Sequence, residues 1–298
     1  MGKFIIADYS WLLNRFHYGF KDHFIKKDDE SIFVGSIKGF CFLVERLHKK
    51  YPEHKVIFVQ DGKCAKKEIN EDYKANRDKD KTQIHVNTAH IVSVLSNLDN
   101  IAFAKNDGCE ADDVIASIAY ELKAKGNEEI IIYSGDKDFW QLSGDFKVAN
   151  EYDKGFKFVD NNLIFSKFGV GLDNLLAFRI LDGDKSDNLK APVPFVKTEF
   201  KKLFAEVWNP TTPENFFHAI NSFNGTKWEA TAKKYLDVID VIDNYLELMD
   251  LGKYSDENNK LEYKLFKGTP DRTLINFFEL RQFESFLYDY IKEKKVNV

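Results

Sequence analysis

Three short apolar runs each lead to an aspartate, and this repeated arrangement limits the folds open to the chain. KFIIA at 3–7 is followed by Asp8, KVIFVQ at 55–60 by Asp61, and EIIIYS at 129–134 by Gly135 and Asp136. Runs of this length, rich in Ile and Val, read as buried strands, and IAFA at 101–104 reads the same way. Helical spacing of apolar residues fills the gaps. It covers 31–50, with Ser31 as cap, then 83–98, and 110–125, which Gly126 closes. A β–α–β–α order of this kind predicts an α/β fold with a central, mostly parallel sheet flanked by helices. Sites in such sheets form beyond the carboxyl ends of the strands, where Asp8, Asp61 and Asp136 fall.

The pattern changes after residue 145. FKVANEYDKGFKFVD reads as a hairpin turning at Asp153–Gly155, and from about 161 the chain reads as mainly helical. Helical stretches include 172–181, 228–250 and 271–295, with loops at 183–197 and 209–213. The expected division is an α/β domain over 1–160 and a helical part over 161–298. With 298 residues, 44% of them hydrophobic, packing rather than staples should hold the chain together. Cys41, Cys64 and Cys109 lack CxxC spacing and the seven histidines lack ligand spacing, so neither a disulfide framework nor zinc is expected. The N-terminal apolar run is too short for a signal peptide and no stretch is long enough to span a bilayer. A cytoplasmic monomer with no membrane partner is the expectation.

The net charge of −5 argues weakly against nucleic acid, but the average hides a polarity. Residues 63–81 carry Lys63, Lys66, Lys67, Lys74, Arg77, Lys79 and Lys81. Acids gather elsewhere: Glu110, Asp112 and Asp113 open a helix, Asp136 and Asp138 follow a strand, and Asp184 and Asp187 lie in a loop. Each group alone has a structural alternative: acids suit a helix N-terminus, and Asp and Gly are ordinary turn residues. Together they point to metal. Gathered carboxylates repel, and burying them costs several kcal/mol each unless they are paired or hold an ion. Magnesium takes oxygen ligands, and two such ions ~4 Å apart can activate water and stabilise the leaving oxygen of a phosphodiester. Carboxylates gathered without metal should have raised pKa values.

The segments IIAD, FVQD, EADDVIA, YSGDKDF and ILDGDKSDN occur in the order and at the spacing of the 5′-nuclease (flap endonuclease) family, which the chain resembles over residues 8 to about 200. The nearest likeness is to its T-even phage RNase H subgroup. The resemblance implies a 5′-nuclease-like (PIN-like) sheet, a helical arch at about 62–82 and a helix–three-turn–helix element at about 171–206. It implies a structure-specific 5′→3′ exonuclease and flap endonuclease that uses two Mg2+ ions, with Mn2+ able to substitute. One ion would lie near Asp8, Asp61, Glu110, Asp112 and Asp136, the other near Asp113, Asp138, Asp184 and Asp187. In the arch, Tyr73, Lys74, Ala75, Asn76 and Arg77 match a Tyr-Lys-x-x-Arg pattern. Lys74 and Arg77 would hold the scissile phosphate, Tyr73 would stack on a base, and Lys66 and Lys67 would steer the strand. Relatives follow the acidic loop with a Gly-rich turn that often holds potassium. This chain has no glycine from 189 to 200, which argues against that ion. Lys190, Lys197, Lys201 and Lys202 would supply the phosphate contacts instead.

The implied substrates are branched or nicked DNA and RNA–DNA duplexes with a 5′ end, met while RNA primers and flaps are removed in phage replication. A phage single-stranded DNA-binding protein or a sliding clamp would be the protein partner. Two alternatives stay open. One is a PIN-type single-stranded ribonuclease, which lacks the arch and the GDKSDN element. The other is a replication DNA-binding protein without catalysis.

Overall fold

A computed structural model describes residues 2–27, 30–63, 65–76, 82–85, 87–98, 100–150, 157–194, 225–227 and 229–268. The elements begin with β1 (Lys3–Asp8), α1 (Tyr9–Gly19), β2 (Phe24–Lys27), β3 (Glu30–Phe33), α2 (Gly35–Lys50) and β4 (His54–Gln60). There follow α3 (Thr82–His85), α4 (Thr88–Leu95), β5 (Ile101–Lys105), α5 (Ala111–Ala124) and β6 (Glu129–Tyr133). Then come β7 (Lys147–Asn150), β8 (Lys157–Phe158), α6 (Asn161–Phe168) and α7 (Leu175–Asp182). The last are α8 (Glu229–Leu236), α9 (Ile239–Met249) and β9 (Lys264–Phe266).

The chain forms two compact units. One comprises Met1–Gly62, Lys79–Ser134 and Lys260–Val298, the other Lys63–Asp78 and Gly135–Asn259. The expected boundary at 160 is therefore not where the chain divides: the break falls at Gly135, and the basic segment belongs with the later residues.

In the first unit the strand order is β6-β1-β4-β5-β9. The first four run parallel, and β9 lies antiparallel against β5, with Phe103 opposite Phe266. Ile5, Ile6, Phe58, Phe103, Ile131 and Ile132 are fully buried. Each such side chain contributes about 1.5–3 kcal/mol on leaving water. Asp8 is level with Val59 in the ladder, and Ala7 with Tyr133, so the strands end beside one another. Helix α5 packs on β1, β4, β5 and β6, and α1 on β4 and α2.

Two local expectations change here. Ser31 does not cap α2; it pairs with Lys26 in an antiparallel β2–β3 ladder, and Val34 precedes the helix. Residues 83–98 do not make one helix, since Asn87 interrupts it and donates from its side-chain amide to the Phe33 carbonyl (3.0 Å).

The second unit has its own core, built by Tyr73, Phe178, Leu181, Leu189, Ile242, Tyr245 and Leu248. Its β7–β8 hairpin matches the expectation for 145–159; the turn at 153–155 lies outside the described residues. The basic segment is a short 3-10 turn at Ala65–Glu68 followed by turns to Asn76, so its described part is not the expected arch helix. Helix α7 falls within the span expected for the helix–three-turn–helix element; residues 195–206 of that span, like 271–295, lie outside the described residues. Among the described residues no helix is long and apolar enough to cross a membrane.

Candidate active site

Asp8 ends β1 and caps α1, accepting the Trp11 amide at 2.9 Å. Its other oxygen accepts the Ser134 hydroxyl at 2.9 Å, so the ends of β1 and β6 are tied through one buried carboxylate. Two residues past β4, Gly62 donates its amide to the Cys109 carbonyl at 2.9 Å. The approach needs glycine: a Cβ there would stand 1.9 Å from the Asn106 carbonyl oxygen. This close packing places Asp61, itself exposed, at the start of α5, where it accepts the Ala111 amide at 2.8 Å. Glu110 is the N-cap of that helix, with Asp112 and Asp113 in its first turn.

The three acids that open this helix converge. Ligand oxygens of Glu110, Asp112 and Asp113 lie within 4.8 Å of one another, with Glu110 and Asp113 buried. An all-carboxylate set at this separation fits a hard divalent cation and offers no sulfur or imidazole to a softer one. It also groups Asp113 with Glu110 and Asp112, whereas the resemblance assigned Asp113 to the other ion.

The remaining four acids belong to the second unit. The Asp138 amide donates to Asp136 Oδ1 at 3.0 Å. Asp184 opens a tight loop: Gly183 takes φ 74°, the Leu189 amide donates to the Asp184 carbonyl at 2.8 Å, and the Ser186 amide donates to Asp184 Oδ1 at 2.8 Å. A Cβ on Gly183 would meet the Leu189 carbonyl oxygen at 2.6 Å, so glycine is required for both its conformation and its space. Arg179, from α7, donates through Nη2 to both Asp138 and Asp184, the latter at 2.5 Å. Burial pushes the Asp138 carboxyl up to about 8; Asp136, Asp184 and Asp187 add to the rise and Arg179 opposes it. The raised pKa expected of gathered carboxylates is thus found at Asp138.

The cations are less uniform than the sequence suggested. The Lys74 amide donates to the Asp187 carbonyl at 2.8 Å, and Lys74 Nζ stands 3.7 Å from Asp187 Oδ2 and 4.7 Å from the Tyr73 ring centre. Lys74 takes φ 54°, a left-handed conformation that a lysine holds only when surrounding contacts fix it. Tyr73 departs from its expected role. Its ring is 2% exposed within the second unit's core, so it anchors the segment and presents no face for a base to stack on. Lys66 is likewise buried, whereas Lys67 and Lys190 are exposed. Arg77, Lys197, Lys201 and Lys202 lie outside the described residues.

Ser134 and Arg179 were missed in the sequence. Arg179 left one signal, a lone cation inside the apolar helix LLAFRILD, which must find an acid if it is buried.

Residues 3–169 match the family model described as the 5′-3′ exonuclease N-terminal resolvase-like domain. A 5′-3′ exonuclease of Buchnera aphidicola is 30% identical over 188 residues, covering 62% of this chain and 63% of that protein. The chain thus spans less than two thirds of this relative's length. Among solved structures, a T5 protein co-crystallized with metal ions superposes with a TM-score of 0.64 at 16% identity, covering 85% of this chain and 91% of that one. The bacteriophage T5 flap endonuclease in a pseudo-enzyme-product complex with DNA and metal ions gives 0.62 at 15% identity, over 85% and 90%. At such identities the likeness establishes the fold.

Proposed function

The chain belongs to the 5′-3′ exonuclease family, and from that premise we propose that it is a divalent-metal-dependent nuclease acting at 5′ ends and 5′ flaps. The observation that carries the proposal is the convergence of the Glu110, Asp112 and Asp113 oxygens within 4.8 Å, on a helix whose first amide Asp61 accepts. Mg2+ is the ion this donor set suits, with Mn2+ as a substitute. When bound, a pair of such ions supplies Lewis-acid activation of water and of the scissile phosphate. Asp8, fixed by Trp11 and Ser134, and Asp61, fixed by Ala111, hold their carboxylates in orientation before any ion arrives. Lys74 and Arg77 offset the charge that develops on the phosphate. Exposed Lys67 and Lys190 meet the phosphates of the bound strand.

The substrate class follows from the same family. The T5 flap endonuclease was crystallized with DNA, and nicked or branched DNA and RNA–DNA duplexes with a 5′ end are the substrates proposed here. Removal of RNA primers and flaps during replication is the corresponding role, beside a single-stranded DNA-binding protein or a sliding clamp.

The test is a 5′-labelled flap and a nicked RNA–DNA duplex, each incubated with Mg2+, with Ca2+ or with neither. Both substrates should be cut in Mg2+ alone, and Asp136→Ala should cut at least about a hundredfold more slowly. Robust cleavage by Asp136→Ala would sink the site assignment. Flap binding in Mg2+ with no product over hours would instead indicate a DNA-binding protein without catalysis. Preference for a plain RNA strand would indicate a PIN-type ribonuclease.

A further inference from the structure

The second unit gathers four carboxylates, Asp136, Asp138, Asp184 and Asp187, around the end of α7 and the loop that follows it. Asp184 is committed on both oxygens. Oδ1 accepts the Ser186 amide at 2.8 Å and the Ser186 hydroxyl at 2.5 Å, while Oδ2 accepts Arg179 at 2.5 Å. Asp138 Oδ1 accepts the same Arg179 nitrogen. One Nη2 atom therefore sits between two carboxylates from segments over forty residues apart, as a bridging cation would. The three side chains are only 16%, 19% and 12% exposed, so water screens the attraction poorly. Among the described residues, three converging ligand oxygens within 4.8 Å occur at Glu110, Asp112 and Asp113 but not in this second set. Two of these carboxylates, Asp138 and Asp184, are thus arranged around a guanidinium.

The position of Arg179 is fixed by the fold. Its helix neighbours Phe178, Ile180 and Leu181 are buried in the unit's core, which sets the face of α7 that the arginine occupies. Gln141 fastens the Asp138 turn from below, donating to the Met249 carbonyl and accepting from the Leu251 amide, each at 3.0 Å. Gly183 and the Asp184–Leu189 bridge hold the other carboxylate.

We propose that Arg179 is a built-in counter-cation of the second carboxylate set: it keeps Asp138 and Asp184 together in the metal-free protein and weakens the divalent ion they take up. The proposal rests on reading these carboxylates, like those of the proposed nuclease site, as ligands of a divalent ion. A guanidinium already between two ligands lowers the negative potential that an incoming ion meets, and its removal raises it. Arg179 is thus a positioning residue with an unusual sign. Loss of a merely structural arginine would loosen the site and weaken metal binding, whereas loss of this one should tighten it.

The experiment compares wild type, Arg179→Lys and Arg179→Gln, with Mn2+ binding followed by titration calorimetry and melting followed without metal. Arg179→Gln should melt lower without metal, because two buried acids lose their partner, and should bind Mn2+ about tenfold more tightly or better. Arg179→Lys should stay near wild type in both. If Arg179→Gln does not fold without metal, the pair Asp184→Asn with Arg179→Gln removes one charge of each sign and should recover most of the lost stability. Failure of that pair to recover it overturns the proposal. Wild-type uptake of Mn2+ with Arg179→Gln binding equally or more weakly overturns the proposal and leaves the nuclease reading standing. No uptake of Mn2+ by wild type overturns both.

Discussion

Asp8 divides its two oxygens between the Trp11 amide and the Ser134 hydroxyl, and the two duties can be separated by substitution. Asparagine caps a helix about as well as aspartate, and the serine hydroxyl can rotate to accept instead of donate. Asp8→Asn should therefore keep its stability to within a few tenths of a kcal/mol, roughly, yet lose at least about a hundredfold in cleavage with the lost charge. Asp8→Ala should lose the same activity and about 1 kcal/mol of stability besides. Urea melts and flap cleavage on both variants check this; near-normal cleavage by Asp8→Asn would reduce the residue to a cap. Glu110, Asp112 and Asp113 of the candidate site were legible in the sequence because they open an apolar helix. What fixes Asp8 was not. Ser134 contributes one hydroxyl from the neighbouring strand end, and nothing in a string of residues says that β6 lies beside β1. The burial of Tyr73 was hidden for a related reason: a tyrosine inside a highly charged stretch looks exposed until its core partners, Phe178 and Ile242 among them, arrive from more than a hundred residues away.

At the level of elements, β1, β4, β5 and β6 lie where short apolar runs demanded strands, because a strand buried on both faces leaves a continuous apolar signature. Boundaries set by backbone pairing were less visible. Glu30–Phe33 carries apolar residues that suit the next helix equally well, and only the ladder to β2 decides its state. The junction of β4 with α5 depends on a feature with no side-chain signature at all, the contact of Gly62 with the carbonyls of Asn106 and Cys109. Gly62→Ala must push that junction apart. Overpacking of this kind costs about 1–3 kcal/mol, and it would carry Asp61 off the Ala111 amide, so melting temperature and cleavage should fall together. Gly108→Ala is the matched control, since the nearest atom its Cβ would meet is the Asn106 side-chain oxygen at 3.5 Å. That variant should stay close to wild type in both measurements.

For the whole molecule, hydrophobic periodicity tells which residues are buried but not which core they join. The chain leaves the first unit at Lys63, returns at Lys79, leaves again at Gly135 and returns at Lys260. A single boundary near 160 is what composition alone suggests for such a path, and the excursion at 63–78 is invisible until Ile69 and Tyr73 are seen packed with α7 and α9. The stability of the molecule without metal carries a further consequence of the acids gathered in the second unit. Asp138 is held up to about 8 by burial first and then by its acidic neighbours, against an ordinary value near ~3.9 in the unfolded chain. Between those two values the folded state keeps a proton that the unfolded state releases. Its contribution to stability is therefore fully present below about pH 4 and is lost as pH rises towards 8. Metal-free protein should melt progressively lower from pH 5 to pH 8, and Asp138→Asn should flatten that slope by removing the titrating group. A divalent ion prefers the ionised carboxylates, so saturating Mg2+ should oppose the loss and raise the melting temperature most at the alkaline end. At a hundred times its dissociation constant the ion adds about 2.7 kcal/mol, roughly 5 °C for a protein of this size. Melting curves at pH 5, 6.5 and 8, with Mg2+ and with a chelator, measure all three effects. A slope as steep in Asp138→Asn as in wild type would move its origin to another group.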